Sequence, residues 1–219
     1  MKIIELKETI TASNDRDAEV LRGELKRKGT LLINLMASPG AGKTTLLERT
    51  IRDMKDEMRI AVMEADVDSD VDAVRIEATG AKAVQAHTDG MCHMDAGMTR
   101  RALEGLGEET FDLVILENVG NLICPAEFDT GAGKCVMLLS VPEGDDKPLK
   151  YPLMFTKSDV LIITKTDVAP YFDFNIDACI ARARRLNPDI RVFLASAKTG
   201  DGFEAWEDWV REQVRIWKQ

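Results

Sequence analysis

The chain has 219 residues and a formal net charge of −9 at pH 7. This acidic balance argues against nucleic acid or an anionic membrane as the main partner, because both attract basic surfaces. The length suits one large domain, in which about 70% of the surface of the unfolded chain can be buried. Charges interrupt the N-terminus and no apolar run approaches membrane-spanning length, so we expect neither a signal peptide nor a membrane span.

The first predicted element is a helix that precedes the core. Residues 13–28 show the periodicity of an amphipathic helix, with Val20, Leu21 and Leu25 on one side. We therefore predict a flanking helix within residues 1–29. It either packs on the domain or contacts a partner, and packing is the simpler expectation.

Strands and helices alternate through the rest of the chain. Continuous apolar strands that alternate with helices are typical of a mostly parallel sheet covered on both faces, with ligands at the carboxyl ends of the strands. We predict an α/β fold of about seven strands. The predicted strands are near 31–36, 59–64, 82–87, 111–116, 135–141, 160–163 and 191–194, the helices near 43–54, 69–78, 94–106, 175–186 and 203–217, and a surface segment spans 142–152.

A glycine-containing loop joins the first strand to the next helix. Residues 37–45 read Ala-Ser-Pro-Gly-Ala-Gly-Lys-Thr-Thr, the context of a phosphate-binding P-loop, although Ala37 stands where a glycine is usual. Gly40 and Gly42 allow backbone conformations in which successive N–H groups point at an anion, and the helix adds its positive N-terminal end. The motif predicts a P-loop NTPase fold. The expected phosphate-binding residues are Gly40, Ala41, Gly42, Lys43, Thr44 and Thr45.

Two acidic strand ends complete the expected phosphate site. Lys43 would reach the β- and γ-phosphates, and the Thr44 hydroxyl would bind Mg²⁺. Asp66 ends the second strand, where it can hold Mg²⁺ or order a switch segment. Glu117 ends the most apolar strand and would touch Mg²⁺ or its water, while the N–H of Gly120 would meet the γ-phosphate. The predicted catalytic residues are Lys43, Asp66 and Glu117, and the predicted Mg²⁺ ligands are Thr44, Asp66 and Glu117. We interpret Asp68, Asp70 and Asp72 as a solvated acidic loop.

Two later loops predict that the base is guanine. Residues 164–167, Thr-Lys-Thr-Asp, look like the guanine-binding N-K-x-D element with Thr164 in place of Asn. Asp167 would accept hydrogen bonds from the guanine N1–H and amine, and the stem of Lys165 would pack on the base. Adenine lacks these donors, and the unpaired carboxylate would cost about 1–3 kcal/mol or more. The second base-contacting loop contains Ser196, Ala197 and Lys198. The four loops predict a GTPase that binds GTP and GDP, with slow intrinsic hydrolysis because no glutamine or arginine finger stands out.

Cysteine and histidine side chains form a second candidate site. Thiolate and imidazole ligands suit Zn²⁺ or Ni²⁺, and affinity alone does not choose between these metals. Cys92 and His93 lie in a Gly-containing strand-to-helix turn, and Cys124 follows later. Three ligands are one short of a tetrahedral shell, so a C₂ dimer could pool ligands, or Asp95 or a water could complete the shell. We interpret His87, Cys135 and Cys179 as structural or incidental, and four such cysteines indicate a cytoplasmic protein without a disulfide framework.

The two candidate sites are close along the chain. Glu117 and Cys124 are seven residues apart, which spans at most about 25 Å. A switch that moves with the γ-phosphate would therefore act on a metal ligand, a physical route to nucleotide-controlled metal binding.

Four stretches together resemble the HypB family, GTPases that assist nickel insertion into [NiFe]-hydrogenase. They are residues 37–45, 90–96 (Gly-Met-Cys-His-Met-Asp-Ala), 117–125 (Glu-Asn-Val-Gly-Asn-Leu-Ile-Cys-Pro) and 142–152. The resemblance runs from about residue 30 to the end. It implies a GTPase domain over residues 30–219 and a GTP-dependent homodimer whose interface metal site uses Cys92, His93 and Cys124. It also implies two partners, the nickel chaperone HypA and the hydrogenase large subunit.

The sequence departs from the family pattern at several points, and alternative functions remain open. Ala37 and Thr164 depart from the nucleotide motifs, and the Cys-rich N-terminal motif and His-rich stretch of some members are missing, which argues against a nickel-storage role. Three alternatives stay open: a urease-type nickel GTPase, a metal-binding assembly module with a structural nucleotide, and a P-loop small-molecule kinase. A kinase would explain Lys43 and Thr44 but would leave residues 164–167 and the Cys-His pair without a role.

Overall fold

The structure, a computed structural model, describes residues 6–66, 71–88 and 90–219, and for residues 6–10 and 66 the backbone only. The elements in chain order are α1 (Leu6–Lys28), β1 (Leu31–Ala37), α2 (Lys43–Met54), β2 (Ile60–Asp66), α3 (Val71–Glu77), β3 (Lys82–His87), α4 (Ala96–Gly105), β4 (Leu113–Glu117), α5 (Cys124–Glu127), β5 (Lys134–Ser140), α6 (Lys147–Lys150), α7 (Pro152–Lys157), β6 (Val160–Thr164), α8 (Ile176–Leu186), β7 (Arg191–Ala195) and α9 (Phe203–Trp217). Short 3₁₀ helices, Val141–Glu143 and Thr166–Tyr171, follow β5 and β6.

The seven strands of the described ranges form one parallel sheet in the order β3-β2-β4-β1-β5-β6-β7. β1 lies at the centre, between β4 and β5. Strand order reverses about β1, and such a switch point opens a crevice at the carboxyl ends of the strands. The P-loop leaves the sheet at this crevice.

Helices cover both faces of the sheet, which explains why the strands are apolar without alternation. Along β1, Leu31, Ile33 and Leu35 pack in the layer that contains α2 and α9. Leu32 belongs to the opposite layer with α1 and α4, and Met36 to the layer with α7 and α8. The predicted sheet, mostly parallel and covered on both faces, is thereby confirmed.

The first helix is longer than expected, and one predicted contact in it is wrong. Leu21 and Leu25 are buried as predicted, but Val20 is 56% exposed. Successive helical residues point about 100° apart, so Ala18, Leu21 and Leu25 share one face that excludes Val20. The helix packs on α4 and the sheet, which confirms the expectation that it packs on the domain.

The segment 142–152 is more structured than its composition indicates. It contains α6, and Pro148 in it is buried. α5, α6 and α7 each carry a proline in the first turn, where the missing N–H is tolerated. Helices of four to six residues are too short for a periodic pattern, which is why the sequence did not predict them. None of the helices in the described ranges is both long and apolar enough to cross a bilayer.

Candidate functional site

The P-loop has the geometry of an anion cradle. Gly40 and Gly42 have φ of 75° and 100°, the left-handed region that favours glycine. Gly42 caps α2 without a side-chain hydrogen bond, and the first turn of α2 has no acidic residue that would compete for an anion. The first amides of a helix have no intrahelical partners, so they are available to a phosphate. The loop borders a cavity of about 560 Å³.

Ala37 does not disturb this loop. It lies in the extended backbone of β1, fully buried, and Lys165 is the only non-glycine residue with positive φ in the described part. The backbone at position 37 is therefore one that any residue can adopt, and a glycine is not needed there. Its carbonyl accepts a hydrogen bond from the N–H of Asn121 at 2.9 Å, which ties the start of the P-loop to the loop after β4.

Lys43, Thr44 and Glu117 meet at the floor of the cavity. The Thr44 hydroxyl donates to Glu117 Oε1 at 3.1 Å, and Lys43 Nζ lies 3.7 Å from the same oxygen. Burial raises the pKa of Glu117, while the Lys43 charge opposes that shift. Glu117 Oε2 is buried and receives no hydrogen bond from a basic, amide or hydroxyl group of the described residues, because the group beside it is the Glu64 carboxyl. An unused carboxylate oxygen beside a hydroxyl fits a hard divalent cation such as Mg²⁺. The side chain of the predicted Asp66, like the whole of Asp68 and Asp70, lies outside the described part. The assignment of Asp72 to a solvated loop is wrong: Asp72 lies in the first turn of α3, lines the phosphate cavity and pairs with Arg75 at 3.1 Å.

Gly120 sits directly against the P-loop. A Cβ at this position would lie 3.0 Å from Pro39 Cγ, tighter than ordinary packing allows. The loop of residues 117–121, called the β4 loop below, thus lies on the phosphate cavity, where its predicted contact with a γ-phosphate requires it to be.

The two predicted base-binding loops line one cavity of about 290 Å³. Ser196 Oγ donates to Asp167 Oδ1 at 2.8 Å, which fixes the carboxylate. Lys165, at φ 58°, lies over the P-loop and donates to the Gly40 carbonyl at 2.7 Å. Gly42 and Lys165 line both cavities, so the base pocket adjoins the phosphate pocket. The predicted residues found in the base cavity are Ala41, Gly42, Thr45, Lys165, Asp167, Ser196, Ala197 and Lys198.

Thr164 has a structural role that the motif comparison missed. Its buried hydroxyl donates to the Ala41 carbonyl at 2.7 Å, a bond that spans 123 residues of sequence. The hydroxyl therefore joins the end of β6 to the P-loop, which fixes the relative position of the two cavities that these elements line.

Thr164→Val should weaken nucleotide binding about 5–30-fold, because the buried Ala41 carbonyl would lose its partner at a cost of about 1–2 kcal/mol. The measurement is the affinity for GDP by titration calorimetry. Thr156→Val, which alters an exposed hydroxyl on α7, is the matched control. An unchanged affinity in Thr164→Val would show that the bond does not support the pocket.

The structure brings Cys92, His93 and Cys124 together. Cys92 Sγ lies 3.9 Å from His93 Nδ1, and hydrogen bonding to Cys92 raises the pKa of the Cys124 thiol. Burial lowers the pKa of His93, which favours the neutral imidazole that binds metals. The His93 ring stacks on Phe128, with centroids 3.8 Å apart. Asp95 instead caps α4, where it accepts from the N–H of Met98.

Cys92, His93 and Cys124 do not make a finished metal centre among the described residues. No group of three or more His, Cys, Asp or Glu side chains in the described ranges has the arrangement of a metal site. Cys92 is exposed, and Met91 and Ile123 beside these ligands are exposed as well. The arrangement leaves the ligands open toward solvent or a second molecule. All four cysteines are free thiols, as predicted.

Two asparagines of the β4 loop connect the candidate sites. Asn118 Oδ1 accepts from the N–H of Met94, next to His93, at 3.3 Å. Asn121 Oδ1 accepts from the N–H of Cys124 at 3.4 Å and from that of Ile123 at 2.7 Å. Neither side-chain contact was predicted from the sequence. An Asn side chain that bonds the backbone two residues on is a known turn signal, but it does not indicate what the turn connects.

Comparison with known proteins places the chain in one family. The sequence profile described as "CobW/HypB/UreG, nucleotide-binding domain" matches residues 31–194. The hydrogenase maturation factor HypB of Rhizobium leguminosarum bv. viciae is 46% identical over 209 residues, covering 95% of this chain and 70% of that protein. The chain belongs to the HypB family. HypB of Escherichia coli K12 is 42% identical over 212 residues, covering 97% of this chain and 73% of that protein.

Solved structures of HypB family members agree with this assignment. HypB from Helicobacter pylori, solved in complex with nickel, matches with a TM-score of 0.89 and 38% identity over 94% of this chain and 97% of that one. HypB from Archaeoglobus fulgidus matches with a TM-score of 0.86 and 39% identity over 93% and 99% of the two chains. The signal recognition particle receptor FtsY of Elizabethkingia anophelis, at 14% identity and a TM-score of 0.54, shares the P-loop NTPase fold alone.

In this member of the HypB family, α1 braces the loops that carry the cysteines. Asn14 is buried; its side chain accepts from the N–H of Ala96 and donates to the Asp129 carbonyl, both at 2.9 Å. Arg22 binds the Asp129 carboxylate with two contacts of 2.6 Å. Ala96 follows the Cys92-His93 turn, and Asp129 follows Cys124 and Phe128. These contacts were not predicted, because they join a helix to loops over 80 residues away.

Glu64 is a further residue of the phosphate cavity that was not predicted from the sequence. It lies on β2, lines the phosphate cavity and is 3% exposed. Burial, reinforced by the neighbouring Glu117, raises the pKa of Glu64 to about 10. One signal could have found it: a carboxylate interrupts the otherwise apolar run of β2.

Proposed function

We propose that the chain is a GTP-binding and GTP-hydrolysing metallochaperone that assists nickel insertion into [NiFe]-hydrogenase. The observation that carries the proposal is the path through Asn121. Its N–H bonds the Ala37 carbonyl at the P-loop, and its side chain bonds the N–H of Cys124. GTP and GDP differ by the γ-phosphate, which would lie beside the β4 loop. A movement of the β4 loop would therefore reach a metal ligand and couple nucleotide state to metal affinity.

The phosphate site would work by positioning and charge. The first turn of α2 and Lys43 would hold the phosphates, and the N–H of Gly120 would meet the γ-phosphate. Thr44 and Glu117 would hold Mg²⁺, and Asp66 is proposed as a further cation or switch residue. When bound, Mg²⁺ would neutralise charge that develops on the phosphate oxygens.

Hydrolysis to GDP and phosphate is proposed to be slow. Arg75 lines the phosphate cavity, but its guanidinium is paired with Glu48 at 2.9 Å and Asp72 at 3.1 Å. An arginine held by two carboxylates is not placed to stabilise the transferring phosphoryl group. Slow turnover suits a switch whose two states must each last long enough to act.

The metal site is proposed to be completed by a second copy of the chain. Cys92, His93 and Cys124 from each of two protomers would bind Ni²⁺ or Zn²⁺ about a two-fold axis, with Met91 and Ile123 around it. We propose residues 30–219 as the GTPase domain and α1 as its flanking helix. The proposed partners are HypA and the hydrogenase large subunit, and the proposed compartment is the cytoplasm.

Turnover measured on the full chain tests the proposal. We expect phosphate release from GTP, no effective competition by ATP, and a change in rate when Ni²⁺ or Zn²⁺ is added. Equal competition by ATP would remove the guanine assignment. A rate indifferent to metal, together with metal affinity indifferent to GTP, would favour an assembly module with a structural nucleotide.

A urease client is a second candidate. The relative from Helicobacter hepaticus, 40% identical over 216 residues, is named as a hydrogenase/urease maturation factor. Parallel activation assays with apo-hydrogenase and apo-urease separate the clients. Activation of urease but not of hydrogenase would show that this chain is a urease maturation factor.

A further inference from the structure

Three polar side chains form a row across the sheet beside the P-loop. Glu64 on β2 is in register with Gln85 on β3 and with Glu117 on β4. Registered residues of a parallel sheet project from the same face. All three line the phosphate cavity. The proposed function uses Glu117 but gives no role to Glu64 or Gln85.

This row holds hydrogen-bonding capacity that the protein itself does not use. Glu64 Oε1, Glu117 Oε2 and both polar atoms of the Gln85 amide are buried, and no other side chain or backbone group of the described residues satisfies them. The Glu64 and Glu117 carboxyl groups lie against each other, an arrangement that is favourable only with a proton or a cation between them. Buried polar groups are normally paired, because leaving them unpaired is costly. Their concentration along one wall of a cavity indicates a ligand that brings its own donors and positive charge.

The charges on this wall point to a hydrated cation. The two carboxyl groups face the ammonium of Lys43, which lies at the Glu117 end. The other charged side chains that line the cavity in the described part are engaged elsewhere: Asp72 pairs with Arg75, and Lys165 donates to the Gly40 carbonyl. Mg²⁺ keeps several of its waters when it binds proteins, so it supplies both charge and donors. β4 is the direct neighbour of β1, the strand that leads into the P-loop. β2 lies on the far side of β4, so Glu64 is one inter-strand spacing, about 4.8 Å, further from the P-loop than Glu117 is. Glu117 is therefore placed to touch the ion, and Glu64 to reach its water.

We infer that Glu64, with Gln85 beside it, is an outer-sphere acceptor for the waters of the Mg²⁺ that accompanies the nucleotide. Outer-sphere carboxylates orient the inner ligands and tune affinity for the ion. Glu64 is thus a positioning residue, and the inference rests on the proposed nucleotide site.

Glu64→Gln keeps the shape of the side chain and replaces a carboxyl group, which can become a carboxylate beside a cation, with an amide, which cannot. We expect the Mg²⁺ concentration that half-saturates the GDP complex to rise about 10-fold, measured by competition with Mn²⁺ in electron paramagnetic resonance. GDP affinity in EDTA should not change. Glu57→Gln, the same substitution in an exposed pair with Arg211, is the control and should leave both values unchanged.

Thermal unfolding without nucleotide or metal separates this role from a structural one. Glu64→Gln should be about as stable as the wild type, because burial already disfavours the charged form of Glu64 and glutamine has the same shape. Glu64→Asp retains the carboxylate on a shorter stem and should give an intermediate shift in the Mg²⁺ titration. Wild-type Mg²⁺ affinity in both folded variants would overturn the inference but leave the nucleotide site standing. Failure of the wild type to bind GDP would overturn both.

Discussion

Asp167→Asn should weaken GTP binding about 100-fold or more, since two hydrogen bonds to a charged acceptor would be lost. Ser196 fixes the Asp167 carboxylate in the base cavity, so the position of the acceptor is set before the base arrives. The amide of asparagine would present a donor to the guanine amine. Xanthine carries a carbonyl at that position, so xanthosine triphosphate should bind the variant better than GTP does. Competition against a fluorescent guanine nucleotide measures both effects.

The matched control is Asp173→Asn, an exposed residue outside the cavity, which should keep the wild-type preference. If Asp167→Asn keeps its affinity for GTP, the base lies elsewhere. The assignment of guanine to this cavity would then be wrong, while the phosphate site at the P-loop would be unaffected.

Cys124→Ala should lower Ni²⁺ or Zn²⁺ affinity at least about 100-fold, beyond the 10–100-fold typical of losing an outer-sphere partner. The thiol contacts Cys92, whose sulfur in turn lies 3.9 Å from His93 Nδ1, so its removal takes one of the three proposed ligands away. GTP affinity should stay within about 2-fold, because Cys124 lines neither the phosphate cavity nor the base cavity. Competition with a chromophoric chelator reports metal affinity, and nucleotide titration reports the second value.

Cys135→Ala provides the control for that experiment. Burial raises the pKa of Cys135 to about 12, and metals bind the thiolate rather than the thiol. The control should therefore bind metal like the wild type. Unchanged metal stoichiometry in Cys124→Ala would remove Cys124 from the site.

The parts of the site that the sequence predicted share one physical property. The P-loop, Glu117, residues 164–167 and Ser196 each follow a strand that is recognisable by its apolar run. Parallel strands bring all their carboxyl ends to one edge of the sheet. Knowing that each residue follows or ends a strand was therefore enough to predict that these residues lie near one another. Thr164 shows the limit of this reasoning, because its bond to Ala41 depends on how two such ends meet.

The parts that the sequence did not predict depend on register and on distant packing. The row of Glu64, Gln85 and Glu117 exists because three strands align at one level, and no local pattern sets that alignment. The contacts of Asn14 with both cysteine-bearing loops likewise require the final packing of α1. Buried polar side chains in apolar segments are the signal that could have marked these positions for attention.

Control of the metal by the nucleotide is tested most directly by one measurement on the full chain. Ni²⁺ affinity and molecular mass are determined for the same preparation loaded with GDP or with a non-hydrolysable GTP analogue. We expect the two affinities to differ at least about 5-fold, with the dimer favoured in the GTP-analogue state, and the difference to shrink in Asn121→Ala. Equal Ni²⁺ affinity and equal mass in both nucleotide states would contradict the coupling through the β4 loop.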